Sequence, residues 1–138
     1  WFMAGYSGTP LPRKLGIKPG MRLLRVNAPE GLDHWLAPLP EGVVACAPGE
    51  DGKADVILFF TNEATQLAAR FGELARRLDP AGGLWVGWPK KSAKVATDLD
   101  GNKVRAIGLA GGLVDNKICA ISEVWSGLRF VYRRKDRP

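Results

Sequence analysis

The chain has 138 residues, of which 46% are hydrophobic and 25% are charged, and this balance excludes an intrinsically disordered chain and predicts one folded domain. Its 20 Lys and Arg residues outnumber its 14 Asp and Glu residues, so a net charge of +6 makes anionic partners worth considering. The basic residues are spread along the chain, however, and we therefore do not expect nucleic acid as a partner.

The sequence carries no signal for a membrane or for export. No apolar run approaches the roughly 20 residues that span a bilayer. The first residues also lack the basic, apolar and small-residue order of a signal peptide. We therefore expect a cytoplasmic protein with no membrane partner.

Proline and glycine dominate the beginning of the chain. They predict an extended N-terminal arm over residues 1–20. The apolar run at residues 21–26 predicts the first strand, which ends at a turn. Residues 31–39 then predict a short helix that Pro40 ends.

The middle of the chain alternates strands with a helix. Residues 43–46 and 55–60 are continuous apolar runs, as expected of parallel strands covered on both faces. Apolar residues at three- and four-residue spacing predict a helix over residues 62–78, with Asn62 as its N-cap. A turn at residues 80–83 and a buried strand at residues 84–88 follow.

The last third predicts a helix and a hairpin. Asp98 or Asp100 would cap a helix whose glycines allow close packing on the sheet. Strands at residues 117–122 and 128–133 are joined by a link too short for a parallel crossover, so they form an antiparallel hairpin. Together these elements predict a Rossmann-like α/β fold, a three-layer sandwich with a mostly parallel sheet. The predicted domain covers residues 21–134, and residues 135–138 form a basic tail.

In this architecture ligands bind beyond the carboxyl ends of the strands, so the loops after Val26, Cys46, Phe60 and Trp88 are the candidates. The last of these loops combines lysines with a hydroxyl group and free backbone N–H groups, which suit a phosphate or a carboxylate. Asn116 would offer a hydrogen-bonding amide before the hairpin, and Trp125 would offer an aromatic ring at the predicted hairpin tip. The predicted ligand-binding residues are Trp88, Lys90, Lys91, Ser92, Lys94, Asn116 and Trp125.

The sequence gives little support for a metal site or for a nucleophilic catalytic residue. His34 is the one histidine and Cys46 and Cys119 are the two cysteines, so we expect no metal site and no disulfide. Both cysteines lie in apolar runs, which disfavour a reactive thiolate. We assign no catalytic residue from the sequence.

From Asp55 onward, DVILFF, a helix, LDPAGGLWVGW, a second helix and a hairpin ending in LRFVYRR resemble the second half of a class I S-adenosylmethionine-dependent methyltransferase. That superfamily uses a glycine-rich turn after the first strand and an acidic residue at the end of the second to contact the cofactor. The corresponding segments here are VNAPEGLD, which contains Gly31, and VVACAPGED, in which Glu50 and Asp51 lie beyond the strand. The resemblance makes S-adenosylmethionine a candidate cofactor that would find few of its motif residues.

A second resemblance spans residues 3–131. The segments GYSGTPLPRKLGIKPG, GGLWVGWPKK, VATDL and GLVDNKICAISEVWSGLRFV are similar to a family of short bacterial proteins described as a domain of unknown function. The resemblance implies a bacterial cytoplasmic protein. It supplies no activity or cofactor to transfer.

These observations leave three hypotheses. The first is a non-enzymatic binding or regulatory protein that takes an anionic or nucleotide-like ligand at the loop Lys90-Lys91-Ser92. The second is a divergent methyltransferase-like enzyme, with a deep pocket near Asp55, Asp98 or Asp115. The third is a protein-interaction module or homo-oligomer with an exposed aromatic patch at Trp125. We leave enzymatic activity open and favour the first hypothesis.

Overall fold

A six-stranded sheet organises the part of the chain that the computed structural model describes, which is residues 9–47 and 49–137. The strand order is β2-β1-β3-β4-β6-β5. The first four strands in this order pair in parallel, and β6 runs antiparallel to both of its neighbours. The predicted fold class is therefore confirmed. The strands are β1 (Arg22–Val26), β2 (Val44–Cys46), β3 (Ala54–Phe60), β4 (Leu78–Pro89), β5 (Val114–Ala120) and β6 (Trp125–Val131).

Helices cover both faces of the sheet. The short helices α1 (Leu11–Lys14) and α2 (Leu32–Leu36) belong to one apolar cluster, and we call their side of the sheet the arm face. The longer helices α3 (Ala64–Arg77) and α4 (Gly101–Ala110) belong to the other cluster, and we call their side the helix face. The structure is thus the three-layer sandwich that the sequence predicts. None of the helices in residues 9–47 and 49–137 is long and apolar enough to cross a lipid bilayer.

Strand β3 lies in the centre and is buried on both sides. Its side chains alternate, so Leu58 and Phe60 join the arm-face cluster while Ile57 and Phe59 join the helix-face cluster. This double burial explains why the strand reads as one continuous apolar run. In β4 a similar alternation places Trp85 on the arm face and Trp88 on the helix face.

The edge of the sheet departs from the prediction. Val44 and Ala45 of β2 are exposed, whereas we expected this strand to be covered on both faces. The reason is position, because β2 is the outermost strand next to β1 and no described helix packs on its outer half. Its short length limits the unpaired backbone that an edge strand presents.

The predicted arm contributes to the core as far as it is described. It contains the helical turn α1, and beyond this turn Leu15 and Ile17 are buried. The indole Nε1 of Trp85 donates a hydrogen bond of 2.9 Å to the carbonyl of Leu15, which attaches the arm to the sheet. Residues 1–8 of the predicted arm and residue 138 of the predicted tail lie outside the described residues.

Several element boundaries were predicted wrongly, including the starts of β5 at Val114 and of β6 at Trp125, which come before the predicted starts at residues 117 and 128. Strand β4 begins at Leu78, directly after α3, because the predicted turn at residues 80–83 is an irregular part of the strand. Helix α3 has Glu63 as its N-cap, whereas the predicted cap, Asn62, points its amide elsewhere. Trp125 begins β6 and does not form the hairpin tip.

Candidate functional site

The four parallel strands end at one edge of the sheet, which we call the carboxyl edge. From β1 the chain passes through α2 on the arm face to β2, while β3 on the other side of β1 continues into α3 on the helix face. The direction of the strand order therefore reverses between β1 and β3. In open α/β sheets this switch point is where the crevice for a ligand forms.

The switch point is formed by the ends of β1 and β3. Asn27 follows β1 with a left-handed backbone (φ 55°) and is exposed. Thr61 follows β3 and is only 4% exposed, which is unusual for a polar residue. Its hydroxyl contacts the side chain of Gln66 and accepts a 3.1 Å hydrogen bond from the N–H of Glu63. Sequence reasoning missed Thr61, although a threonine directly after a buried strand is a usable signal.

A second loop holds the residues after β3 in place. The hydroxyl of Thr97 donates to the carbonyl of Asn62 at 2.7 Å, and the Asn62 amide donates to the carbonyl of Ala96 at 3.2 Å. The N–H of Ala64, at the start of α3, donates to the carboxylate of Asp98 at 2.8 Å. Asp98 therefore caps α3 from a distant part of the chain, and the carboxyl edge is held rigid near the switch point.

This cap predicts a measurable contribution to stability. We expect Asp98→Ala to lower the free energy of unfolding by about 1 kcal/mol, because the N–H of Ala64 loses its acceptor. Asp98→Asn keeps an acceptor oxygen and should recover most of that loss. Urea unfolding followed by circular dichroism measures the change. Asp51→Ala, at an exposed carboxylate, is the control, and an equal loss in both variants would contradict the capping role.

Most of the predicted ligand-binding residues lie together after β4. Lys91, Ser92 and Ala93 form a single 3-10 turn, and Lys94 follows with φ 56°. The N–H of Lys90 donates to the carbonyl of Val124 at 2.7 Å, which ties this loop to the hairpin. The side chains of Lys91, Ser92 and Lys94 are exposed.

The aromatic residues of the predicted site are more buried than expected. Trp88 is only 6% exposed and packs in the helix-face cluster. Trp125 is half-buried and meets the ring of Phe60 edge-on, with the ring centroids 5.3 Å apart. Trp125 therefore does not form the exposed patch that an interaction module requires.

Asn116 does not join the other predicted residues. It lies in β5 at the level of Arg129 and Phe130, far along the sheet from the pairing of Trp125 with Pro89. Two of the acids considered for an enzyme also have structural partners. Asp55 accepts a hydrogen bond from the N–H of Arg22 at 2.8 Å, and Asp115 pairs with Arg105 at 3.0 Å.

A cleft of about 310 Å³ lies beside the switch point on the helix face. It lies between β1 and α3 and is bordered by the segment that connects β2 to β3. Glu50 of this segment approaches Arg22 at 3.9 Å, so it has folded back toward the start of β1. The lining combines an apolar floor with charged walls: Leu24, Val26, Gly49, Glu50, Asp51, Arg70, Glu73, Leu74, Arg76 and Arg77.

The arm side of the switch point carries a charged pair. Arg25 donates from Nη1 to the carboxylate of Asp33 in α2, and Nε of Arg25 has no hydrogen-bond partner among the described residues. Register pairing sets Arg25 beside Leu58. A guanidinium with an unused donor therefore lies one residue before the end of β1.

The fold matches solved structures of methyltransferases. The N-methyltransferase NodS from Bradyrhizobium japonicum aligns with a TM-score of 0.62 at 15% identity, covering 87% of this chain and 90% of that chain. The ribosomal protein L11 methylase from Lactobacillus delbrueckii subsp. bulgaricus aligns at 0.61 and 15% identity, covering 91% and 75%. Magnesium protoporphyrin IX methyltransferase from Synechocystis, with bound SAH, aligns at 0.58 and 11% identity, covering 83% and 75%. At these identities the similarity shows the fold.

No protein-family model matches the chain, and no curated protein matches its sequence. The structural similarity corrects the first functional hypothesis. The non-enzymatic binding protein with an anion at Lys90-Lys91-Ser92 was the wrong choice, because the structures that share the fold are methyltransferases. They favour the methyltransferase-like alternative.

The residues at the carboxyl edge do not reproduce the usual contacts of S-adenosylmethionine. The turn after β1 carries side chains from Asn27 to Glu30, where the superfamily has glycines. Gly31 has φ 96°, and a methyl group there would lie 3.1 Å from the ring of Trp35, so this glycine serves the packing of α2. Strand β2 ends in Cys46 with no carboxylate beside it. The usual cofactor mode therefore does not fit this chain.

Proposed function

We propose that the chain is an enzyme of the methyltransferase type that binds S-adenosylmethionine, or a closely related nucleoside, in a changed mode at the switch point between β1 and β3. One observation carries the proposal: the fold of this chain aligns with methyltransferase structures over 83–91% of its length. One of those proteins, the magnesium protoporphyrin IX methyltransferase, has bound SAH. A small-molecule ligand of nucleotide type is consistent with this similarity.

Side chains take over the role that glycines have elsewhere. Asn27 offers an exposed amide that both donates and accepts hydrogen bonds, on a residue with a left-handed backbone. The next residue, Ala28, has a small side chain that would leave room for a ligand. The hydrogen bonds that Thr61 and Asp98 accept hold the residues after β3 in place, and these residues form the other side of the proposed site. A bound S-adenosylmethionine would supply an electrophilic methyl group, and these residues would bind and orient it.

The loop after β4 is the proposed acceptor side of the same site. It follows the neighbouring strand at the same edge, so a substrate bound there would reach the switch point. Trp125 packs edge-on against Phe60, the last residue of β3. The residues proposed to contact the acceptor are Lys90, Lys91, Ser92, Lys94 and Trp125.

We also infer from the four resembling segments that the chain belongs to a bacterial family, and we expect it to act in the cytoplasm. Both inferences rest on the sequence. Detection of the tagged protein in the soluble or the membrane fraction of a bacterial host tests the location.

Isothermal titration calorimetry with S-adenosylmethionine and S-adenosylhomocysteine tests the cofactor proposal. We expect saturable binding by the native chain. Ala28→Trp fills the crevice from an exposed position and should raise Kd at least about tenfold, an effect of roughly 1.4 kcal/mol.

The matched control is Ala106→Trp, which adds the same ring at an exposed alanine of α4. It should leave Kd within about twofold. Absence of binding at millimolar nucleoside would contradict the proposal. An equal loss in both variants would move the site away from the switch point.

A further inference from the structure

Strands β5 and β6 carry basic residues on the arm face. Trp85, Arg129 and Lys117 are register partners across β4, β6 and β5, so their side chains project from the same face of the sheet. Trp85 is buried under the arm, whereas Arg129 is half-buried and Lys117 is exposed. From β4 to β5 the three side chains therefore become steadily more exposed. The two outer ones, Arg129 and Lys117, are neighbouring cations.

The guanidinium of Arg129 lies flat against the sheet at Gly83. A methyl group at Gly83 would overlap the Nε and Cζ atoms of Arg129, so the guanidinium occupies the space that the missing side chain of Gly83 leaves. Burial lowers the pKa of Arg129, and the charge of Arg137 lowers it further. The positive charge of Arg137, in the C-terminal segment, thus acts on Arg129.

The arm adds another cation next to β5. Burial raises the pKa of the Cys119 thiol, while the charges of Lys14 and Lys117 partly oppose that rise. Lys14 of α1 and Lys117 of β5 therefore both lie near Cys119. Lys14, Lys117, Arg129 and Arg137 together form what we call the basic face.

The acids of this region are directed elsewhere. Asp115, close to Lys117 in sequence, pairs with Arg105 of α4, which packs on the opposite side of the sheet. In residues 9–47 and 49–137, no carboxylate forms an ion pair with a residue of the basic face. The fold has therefore separated positive from negative charge across β5.

We propose that the basic face binds the phosphodiester backbone of a nucleic acid. Neighbouring strands lie about 4.8 Å apart, so Lys117 and Arg129 offer cations at a spacing that adjacent backbone phosphates can meet. A partly desolvated guanidinium binds a phosphate in bidentate fashion. The basic face has no exposed aromatic residue for stacking on bases, so binding is independent of sequence.

This proposal replaces the sequence-based expectation that nucleic acid is not a partner. That expectation rested on the scatter of basic residues along the chain. Lys117 and Arg129 are separated in sequence, and the pairing of β5 with β6 places them side by side on one face of the sheet. The charges of Lys14 and Arg137, from the two ends of the chain, act on the same region.

Fluorescence anisotropy with a fluorescein-labelled 20-nucleotide oligouridine tests the proposal across a range of salt concentrations. We expect Lys117→Gln/Arg129→Gln to weaken binding about tenfold or more at low salt. The slope of log K against log salt should fall by roughly 1.4, which is about 0.7 for each lost phosphate contact on a single strand. The matched control is Arg76→Gln/Arg105→Gln, which removes the same charge from the helix-face helices and should change the slope by far less.

Thermal unfolding of each variant establishes that it is folded. If Arg129→Gln does not fold, Lys117→Gln with Arg129→Lys keeps the test valid, since Lys117 is exposed. No binding at low salt, or equal losses in the test and control variants, would overturn the proposal. The assay contains no nucleoside cofactor, so its outcome is separate from that of the proposed enzymatic function.

Discussion

Replacing Gly108 with alanine should lower the free energy of unfolding by about 2 kcal/mol, although alanine is the better helix former. Gly108 lies in the middle of α4, where a methyl group would overlap the ring of Phe130. Phe130 has no exposed surface and packs edge-on against Phe71 at 5.3 Å, so the ring has nowhere to move. The steric cost therefore exceeds the gain in helix propensity.

Gly72 is the matched control in α3. A methyl group there would meet only the flexible end of Arg76, at 3.5 Å. Gly72→Ala should therefore raise the free energy of unfolding by about 0.5–1 kcal/mol. Urea unfolding of both variants gives opposite signs if α4 packs as closely as the structure shows. Stabilisation of the chain by Gly108→Ala would contradict that packing.

Replacing Trp85 with alanine should cost about 4 kcal/mol, which is among the largest effects available in this chain. Trp85 is 1% exposed and fills the arm-face cluster. Its loss also removes the hydrogen bond to the carbonyl of Leu15. We therefore expect the arm to separate from the sheet before the remaining sheet unfolds.

Limited proteolysis measures that separation, alongside urea unfolding. Cleavage near Arg13, Lys14 and Lys18 should become much faster in Trp85→Ala than in the native chain. The control is Trp125→Ala, which removes a half-buried indole at the start of β6. If both variants lose the same stability and the arm remains protected, the anchoring role of Trp85 is wrong.

The sequence predicted the elements that carry a strong periodic signal. The apolar run of β3 and the three- and four-residue spacing of α3 both result from burial, and burial sets their type. The antiparallel hairpin was also predictable, because a short link excludes a parallel crossover. The start of β4 was missed because Pro80 and Gly82 indicate a turn, although here they occupy an irregular strand.

The sequence could not predict contacts that depend on how distant segments of the chain pair and pack. Asp98 caps α3 only because its loop folds against the residues after β3. Gly83 accommodates Arg129 only because β4 and β6 pair in one particular register. The switch point itself was predictable as a location, and Thr61 could have been found as a threonine directly after a buried strand. The folding back of Glu50 toward Arg22 depends on tertiary contacts.

Amide chemical-shift mapping during titration of the ¹⁵N-labelled chain with S-adenosylhomocysteine tests the central claim most directly. The account predicts saturable shifts that are largest at Asn27, Ala28, Thr61 and Glu63, on the two walls of the switch point. Shifts confined to the cleft around Glu50, or no shifts at millimolar ligand, would contradict a nucleoside site between β1 and β3.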